Sequence, residues 1–416
     1  MAVTLAVGLA LALVLEPRAF GTWLGVPLPP LFLFWEPTLE PVAGLAAAAL
    51  LVSALGAPRL LSPRLGPVPF AAAGLALGLG LRLVLSASRG GVGAWSAPFA
   101  GAEGSTEYLP AIPGVEGLGL ATWLDRFAEI QPSLPVHPSA HPPGTIALLH
   151  VLGIDSAGAM ATLTIAIGAL AIPLTYLLAR RLLDERSARV ATLLVVFCPA
   201  AMIYGVSSAD AMFATLGLLA AVPLAARGPL PRAAGAFALT LASLFSWALL
   251  AVGAFAALLA WLRDGFRSAL TLSLACAAAV VALHLLLFAG TGYDPIGSLL
   301  TTGELYRGGI SEERPFWYWV FGSPAAFLIA IGVPLAWYAA KGVAAGQRPA
   351  LALAAIVVTA AVLGFSKAET ERIWLFMAPL ACVAAAPCLG DRRLPAVLTL
   401  LAAQAFATEL LFDTRW

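Results

Sequence analysis

Charged residues are scarce in this sequence. Asp, Glu, Lys and Arg make up 11% of its 416 residues, against about 25% in soluble globular proteins. A chain with so little charge cannot cover a surface that faces water, which excludes a soluble globular protein. The 23 basic and 22 acidic residues nearly balance and form no sustained basic patch, so we expect no nucleic-acid partner.

Several sequence motifs are also missing. No Walker A motif is present, which argues against ATP-driven transport, and no glycine-rich dinucleotide motif occurs. Neither Cys-x-x-Cys nor His-Glu-x-x-His occurs. The cysteines all lie within apolar runs, so no disulfide framework is indicated. They are Cys198, Cys276, Cys382 and Cys388.

Long apolar runs dominate what is present. Hydrophobic residues form 61% of the chain, and its mean hydropathy is +0.93. We predict an all-α integral membrane protein, a polytopic bundle of about 11–13 transmembrane helices. Residues 233–262 are too long for one crossing and predict two short helices that return to the same side. The other predicted spans are 1–15, 41–57, 67–87, 156–179, 190–206, 209–226, 268–289, 318–339, 349–365, 373–389 and 395–411.

The distribution of Lys and Arg predicts the orientation of the bundle. Most of them lie in one alternating set of short loops, among them Arg180-Arg181 and Arg392-Arg393. Such loops are typically cytoplasmic. We therefore expect a multi-pass protein of the plasma membrane whose active face is extracytoplasmic.

Three loops lie on the predicted outer side, at residues 88–155, 290–317 and 366–372. In the first loop, residues 116–130 predict an amphipathic helix lying at the membrane surface. Residues 144–153 predict a second short helix, and residues 304–314 predict a lid over the site.

Two acidic residues, Glu103 and Glu107, begin the candidate site in the first loop. Four residues apart, they share a face if the segment is helical. Either carboxylate is a candidate general base that removes a proton from an acceptor hydroxyl. The alternative is a solvated acidic loop.

Two histidines, His137 and His141, lie further along the same loop. Their spacing suits a metal pair on a helix, but the prolines between and after them exclude a regular helix. We expect the imidazoles to donate hydrogen bonds to an anion. The alternative is a rigid connector in which they contact only backbone groups.

Two further polar segments lie at outer turns. Asp210, close to Tyr204, begins a helix, where capping alone explains a carboxylate. Arg372 begins another span, and a guanidinium there suits phosphate binding. An ion pair of Arg372 with Glu369 or Glu371 is the alternative. Within a span, Arg82 either extends outward or adds positive charge to the same pocket.

These outer elements, in this order, resemble the GT-C superfamily of multi-spanning glycosyltransferases. The likeness is to bacterial and protein-O-mannosyltransferase-like enzymes that use polyprenyl-phosphate sugars. It covers roughly residues 67–390, which we expect to form a catalytic core after two accessory helices (1–66) and before a C-terminal helix (391–416). The matching segments are Glu107-Tyr108, the surface helix 116–130, His141-Pro142-Pro143-Gly144, Asp210-Ala-Met-Phe213 and Glu371-Arg372-Ile-Trp374-Leu with Pro379.

The resemblance implies an inverting transfer of sugar at the outer face, from a polyprenyl-phosphate donor to a glycan, lipid or protein acceptor of the cell envelope. It implies Glu107, or else Glu103, as the base. Arg372 with His137, His141 and Arg82 would bind the donor phosphate. A divalent metal ion remains open. The expected substrate contacts are Tyr108, Asp210, Tyr204, Glu369, Glu371 and Trp374.

Two other functions stay open at this stage. A secondary transporter or lipid flippase would place polar groups near the middle of the membrane. This sequence has few there, apart from His284 and the break at Ser243–Trp247. A non-catalytic scaffold of an envelope-assembly complex is the third alternative.

Overall fold

The computed structural model describes residues 23–415, without the side chain of Ile310. Almost all of this part is helical, so the predicted all-α class is confirmed. The described β-structure is a two-stranded antiparallel ribbon in which Phe34–Trp35 pairs with Phe412–Asp413. The first predicted span, residues 1–15, lies outside the described residues.

The chain forms long apolar helices separated by short helices and turns. The α-helices of the first half are α1 (Val42–Gly56), α2 (Pro67–Ala87), α3 (Gly101–Gly104), α4 (Ile112–Leu118), α5 (Leu120–Asp125), α6 (Phe127–Ile130), α7 (Val136–Ser139), α8 (Gly144–Leu152), α9 (Ala157–Ala169), α10 (Ala171–Leu182), α11 (Glu185–Phe197) and α12 (Pro199–Ser207).

The second half continues in the same way. Its α-helices are α13 (Asp210–Leu224), α14 (Pro229–Ser243), α15 (Leu250–Asp264), α16 (Phe266–Thr291), α17 (Pro295–Gly308), α18 (Phe316–Ala330), α19 (Val333–Ala344), α20 (Arg348–Leu363), α21 (Thr370–Ile373), α22 (Ala378–Ala385) and α23 (Leu394–Leu411). Turns of 3-10 helix are Ala57–Leu61, Gly91–Trp95, Ala97–Phe99, Leu109–Ala111, Gln131–Ser133, Trp247–Leu249, Ile310–Glu313, Leu375–Met377 and Ala386–Cys388.

Fewer helices than predicted are long and apolar enough to cross a membrane. Within residues 23–415 there are 6, or up to 8 if each of two bent pairs is one span, beside three shorter apolar helices. The 6 are Val42–Leu61, Pro67–Ala87, Ala157–Leu182, Trp247–Asp264, Phe266–Thr291 and Leu394–Leu411.

Breaks in the bent pairs account for part of this difference. α11 and α12 meet at 55°, because Pro199 has no N–H to continue the helix. The single span predicted over 318–339 is instead two helices, α18 and α19, at 114°. Gly332 sits at that corner with φ +104°, and a Cβ there would lie 2.2 Å from Leu401.

The prediction for residues 233–262 is confirmed. α14 ends at Ser243, and a turn at Trp247–Leu249 leads into α15. Arg227 and Arg232, near the start of α14, both pair with Asp264 at the end of α15. The start of α14 and the end of α15 therefore lie on the same side of the bundle.

Charged turns gather at two opposite ends of the bundle. At the end predicted to be cytoplasmic, the buried Arg189 pairs with Glu185 and donates to the carbonyl groups of Leu60, Ser62 and Leu65. Arg186 pairs there with Asp391. The long loops lie at the other end, which we call the outer end, and whether it faces outward stays a prediction.

The amphipathic helix predicted over 116–130 is wrong as a continuous element. It is divided among α4, α5 and α6, because Gly119 adopts φ +75° and Arg126 leaves the helical region. Trp123 and Phe127 are buried in the protein core. This apolar face thus packs against the bundle.

The end of the first outer loop is anchored on the break between α14 and α15. Gly144, the first residue of α8, donates its N–H to the carbonyl oxygen of Leu244 over 2.8 Å. A Cβ at residue 144 would lie 2.3 Å from that oxygen. Only glycine allows this approach, which fixes the position of the preceding His141.

We predict that Gly144→Ala lowers the free energy of unfolding by about 1–3 kcal/mol, because the added methyl group must push the two segments apart. Thermal denaturation of the detergent-solubilised protein measures this. Gly114→Ala is the control, since a Cβ there meets nothing within 4 Å. Equal melting temperatures for the two variants would contradict the anchoring role.

Candidate active site

Polar residues from three outer segments meet at the outer end of the bundle. We call this group the outer charge cluster, and it comprises Glu107, His137, Asp210, Glu369 and Arg372. The first two come from the long loop, Asp210 starts α13, and the last two flank the start of α21. Residues far apart in sequence are therefore brought into one site.

Glu107 and His137 are positioned by the backbone beside them. The N–H of His137 donates to the carbonyl of Thr106 over 3.0 Å. This places Nδ1 of the imidazole 3.0 Å from Oε1 of Glu107. Glu107 is only 4% exposed, and its Oε2 has no hydrogen-bond partner among the described residues.

Arg372 contacts three members of the cluster. Its Nη2 lies 3.1 Å from Nε2 of His137 and 3.8 Å from Oε2 of Glu369, while its Nε lies 3.4 Å from Oδ2 of Asp210. Burial alone lowers the pKa of Arg372, but Asp210, Glu369 and Glu107 raise it by more. The guanidinium therefore stays charged.

The charge on Arg372 also fixes the tautomer of His137. A guanidinium can only donate, so Nε2 of the imidazole accepts. In the neutral ring the hydrogen is then on Nδ1, the atom that faces Glu107. His137 thus connects the carboxylate to the cation.

Asp210 does more than begin a helix. It is the first residue of α13, after Ala209 at the N-cap. Its Oδ2 accepts a hydrogen bond from the Ser208 hydroxyl over 2.7 Å and faces Arg372. Besides its place in the first helical turn, this carboxylate therefore has a charged partner.

Tyr108 and His141 line the apolar side of the cluster. The His141 ring lies 5.2 Å from Phe213 and 6.3 Å from Tyr108, centroid to centroid. Burial, with the nearby His137 and Arg372, lowers the pKa of His141 to about 3, so the ring is neutral. Its Nδ1 is buried without a hydrogen-bond partner in the described part of the chain. Burial, and then Glu107, raises the pKa of Tyr108 well above its ordinary value.

Other predicted site residues lie elsewhere. Glu103 is exposed, and Arg82 is buried in the bundle, where it donates to the carbonyl of Gly168 over 3.2 Å. Trp374 donates its indole N–H to the Ser366 hydroxyl over 2.8 Å. Of the two candidate bases, Glu107 therefore lies within the cluster and Glu103 does not, and Arg82 contacts none of its members.

Glu371 is adjacent to Arg372 in sequence but points away from the cluster. Its Oε1 accepts the N–H of Phe32 over 2.6 Å. Its side chain faces a cavity of about 30 Å³ that Tyr204 also lines. Burial raises the pKa of Glu371 to about 7, against the lowering by backbone N–H donors that include Phe32.

Of two buried arginines at the outer end, the sequence analysis missed Arg89 and placed Arg314 only within the predicted lid. Arg89, just after α2, contacts Glu36 over 3.2 Å and donates to the carbonyl of Glu409 over 3.1 Å. Arg314 pairs with Glu369. Arg314 lies in the predicted lid, 304–314. The available signal for its pairing was that this segment and the turn 366–372 are both rich in charge and both lie on the predicted outer side.

Comparisons with known proteins give little further guidance. No protein-family model matches the chain, and no curated protein matches its sequence. Among solved structures, it is similar to the Archaeoglobus fulgidus oligosaccharyltransferase in complex with Zn and sulfate, at 16% identity and a TM-score of 0.42. The match covers 66% of this chain and 45% of that structure. At this TM-score the likeness assigns no activity.

Between residues 23 and 415, no group of three or more His, Cys, Asp or Glu side chains could hold a metal ion.

The raised pKa of Glu371 predicts a pH-dependent stability. The folded protein keeps this proton up to about pH 7, whereas the unfolded chain loses it near pH 4.5. The contribution of protonated Glu371 to the free energy of unfolding is therefore complete below pH 4.5 and is lost as the pH rises through 7. The loss is on the order of 3 kcal/mol. Melting temperatures between pH 5 and 8 should fall less steeply for Glu371→Gln than for the wild type. The exposed Glu103→Gln is the control, and a wild-type slope in Glu371→Gln would contradict the assignment.

Proposed function

We propose that this chain is a membrane glycosyltransferase of the GT-C type. It moves a sugar from a polyprenyl-phosphate donor to a cell-envelope acceptor at the outer face, with inversion at the anomeric carbon. The observation that carries the proposal is the arrangement of a buried carboxylate, Glu107, and a buried guanidinium, Arg372, on either side of one imidazole, His137.

Glu107 is suited to act as the base. Its Oε1 faces His137, while Oε2 has no protein hydrogen-bond donor in the described chain. An acceptor hydroxyl that enters the cluster can donate its hydrogen bond to this oxygen. A carboxylate within hydrogen-bond reach of the acceptor hydroxyl can take its proton as the new bond forms.

Arg372 is suited to stabilise the leaving group. When the bond between the sugar and the phosphate breaks, negative charge grows on the departing lipid phosphate. A fixed guanidinium placed there before the reaction stabilises that charge more strongly than mobile water does. Arg372 is 5% exposed and held by Asp210, so its position is set before substrate binds.

The reaction balances as a single displacement. The acceptor oxygen forms a bond to the anomeric carbon, its proton passes to Glu107, and the carbon–oxygen bond to the phosphate breaks. The phosphate leaves with the electron pair, next to Arg372. His137 lies between the two ends, with its Nδ1 3.0 Å from Oε1 of the carboxylate and its Nε2 accepting from the guanidinium.

Tyr108, His141 and Asp210 are the proposed contacts to the sugar. Tyr108 and His141 border the cluster with aromatic rings, and Asp210 offers a carboxylate that accepts hydrogen bonds from hydroxyl groups. Tyr204 and Glu371 line a cavity beside the Phe32 segment. We therefore do not assign them to the sugar.

We predict that Glu107→Gln lowers the rate of sugar transfer by about 10²–10⁴-fold, because the amide cannot accept the proton. Arg372→Ala should cause a loss of similar size. The measurement is transfer of label from a panel of polyprenyl-phosphate sugars by purified, lipid-reconstituted protein. Glu103→Gln, which changes an exposed carboxylate four residues away, should leave the rate unchanged.

The controls separate this function from its alternatives. Melting curves for each variant show that lost activity does not come from lost folding. Full activity in Glu107→Gln would refute the assigned base. If no donor supports transfer in the wild type but the protein moves lipid phosphates across the bilayer, it is a flippase.

A further inference from the structure

Glu369 bridges two arginines at the opening of the cluster. Its Oε1 pairs with Nη2 of Arg314, and its Oε2 lies 3.8 Å from Nη2 of Arg372. The side chains of Arg314 and Arg372 are 2% and 6% exposed, whereas the side chain of Glu369 between them is 18% exposed. A single anionic group thus lies between two buried cations, on the solvent side.

The backbone that holds Glu369 is strained. Ala368 and Glu369 both have positive φ values, 66° and 57°, a region that residues other than glycine rarely adopt. Such strain persists only where surrounding contacts enforce it, and it concentrates at functional sites. Here the Ala368 N–H donates to the Ser323 hydroxyl over 3.3 Å, and Thr370 donates to the Ser323 carbonyl over 2.6 Å.

Arg314 is held in place independently of Glu369. Its Nη1 donates to the carbonyl of Lys367 over 2.7 Å, and its Nε donates to that of Gly25 over 3.4 Å. Gly25 has φ +75°, and a Cβ there would lie 2.6 Å from Cγ of Arg314. If the carboxylate moved away, Arg314 would remain in position with Nη2 directed into the opening.

We propose that the Glu369 carboxylate occupies the place of the donor's phosphate, so that the incoming phosphate displaces it and binds Arg314 and Arg372 together. This rests on the proposed function for the identity of the donor. Carboxylates and phosphates both present paired oxygens to guanidinium groups, so one can replace the other between the two arginines. Glu369 then competes with the donor, and Arg314 is a second phosphate-binding residue.

The competition can be measured by binding, without sugar transfer. The probe is farnesyl phosphate, titrated into the purified full-length protein in detergent and followed by calorimetry. We expect Glu369→Gln to bind it about tenfold more tightly than the wild type, because one competing charge is removed. Adding Arg314→Gln to that variant should return the affinity to the wild-type level or below.

A second variant guards against misfolding. Glu369→Gly removes the carboxylate and also relieves the left-handed backbone, so it should fold and bind farnesyl phosphate about as tightly as Glu369→Gln. Ala368→Gly is the matched control, since it relieves strain at the adjacent residue but keeps the carboxylate. Its affinity should stay at the wild-type value.

Further ligands distinguish the source of the affinity. Inorganic phosphate should compete with the probe in both proteins, with a lower inhibition constant in Glu369→Gly than in the wild type, and farnesol should not bind the cluster. Unchanged or weaker binding of farnesyl phosphate in both Glu369 variants would overturn the inference, as would equal affinity for farnesol. Tighter binding of farnesyl phosphate by the Glu369 variants, with no sugar transfer by the wild type, would support this inference and refute the proposed function.

Discussion

The outer end of the molecule depends on the burial of one cation, the guanidinium of Arg372. A charged group placed at the mouth of an apolar bundle loses its hydration, and that cost must be offset by opposite charge and hydrogen bonds. Asp210, Glu369 and His137 supply these contacts, and Glu107 adds its charge through His137. Glu107 and His137 come from the long loop, Asp210 from the start of α13, and Glu369 from the turn that carries Arg372 itself, so satisfying Arg372 requires these three segments to converge.

A second ring of contacts holds the convergent segments in place. Lys367 donates from its Nζ to the carbonyls of Ser311 and Arg314, and Arg314 reaches the carbonyl of Gly25. The N-terminal segment, the 310–314 turn and the 366–369 turn are thereby joined over the cluster. The positive φ values of Ala368 and Glu369 persist because surrounding contacts enforce them. A binding site that exchanges one anion for another needs such a rigid frame.

The sequence was sufficient to predict the all-α membrane class, the two short helices within 233–262 and the segments that supply the cluster. Those predictions rest on composition, on hydrophobic runs and on where ionisable groups fall relative to them. The direction of each side chain could not be predicted, because it depends on tertiary packing. Glu371 and Arg372 are neighbours, yet one faces Phe32 and the other His137. Arg82 lies in a predicted span and donates to the backbone carbonyl of Gly168. This contact depends on how α9 packs against α2, which the sequence does not show. The hydrophobic periodicity of residues 116–130 alone favours one helix, but the positive φ of Gly119 divides it.

We propose that a lipid-phosphate sugar reacts between Glu107 and Arg372, which lie on either side of His137. The most direct test is an electron cryo-microscopy structure of the protein with a non-transferable polyprenyl-phosphate sugar analogue. We predict a phosphate oxygen within about 2.7–3.2 Å of the Arg372 guanidinium, and the sugar between it and Glu107. A phosphate bound elsewhere, such as beside the Ser243–His284 pair inside the bundle, would contradict the account.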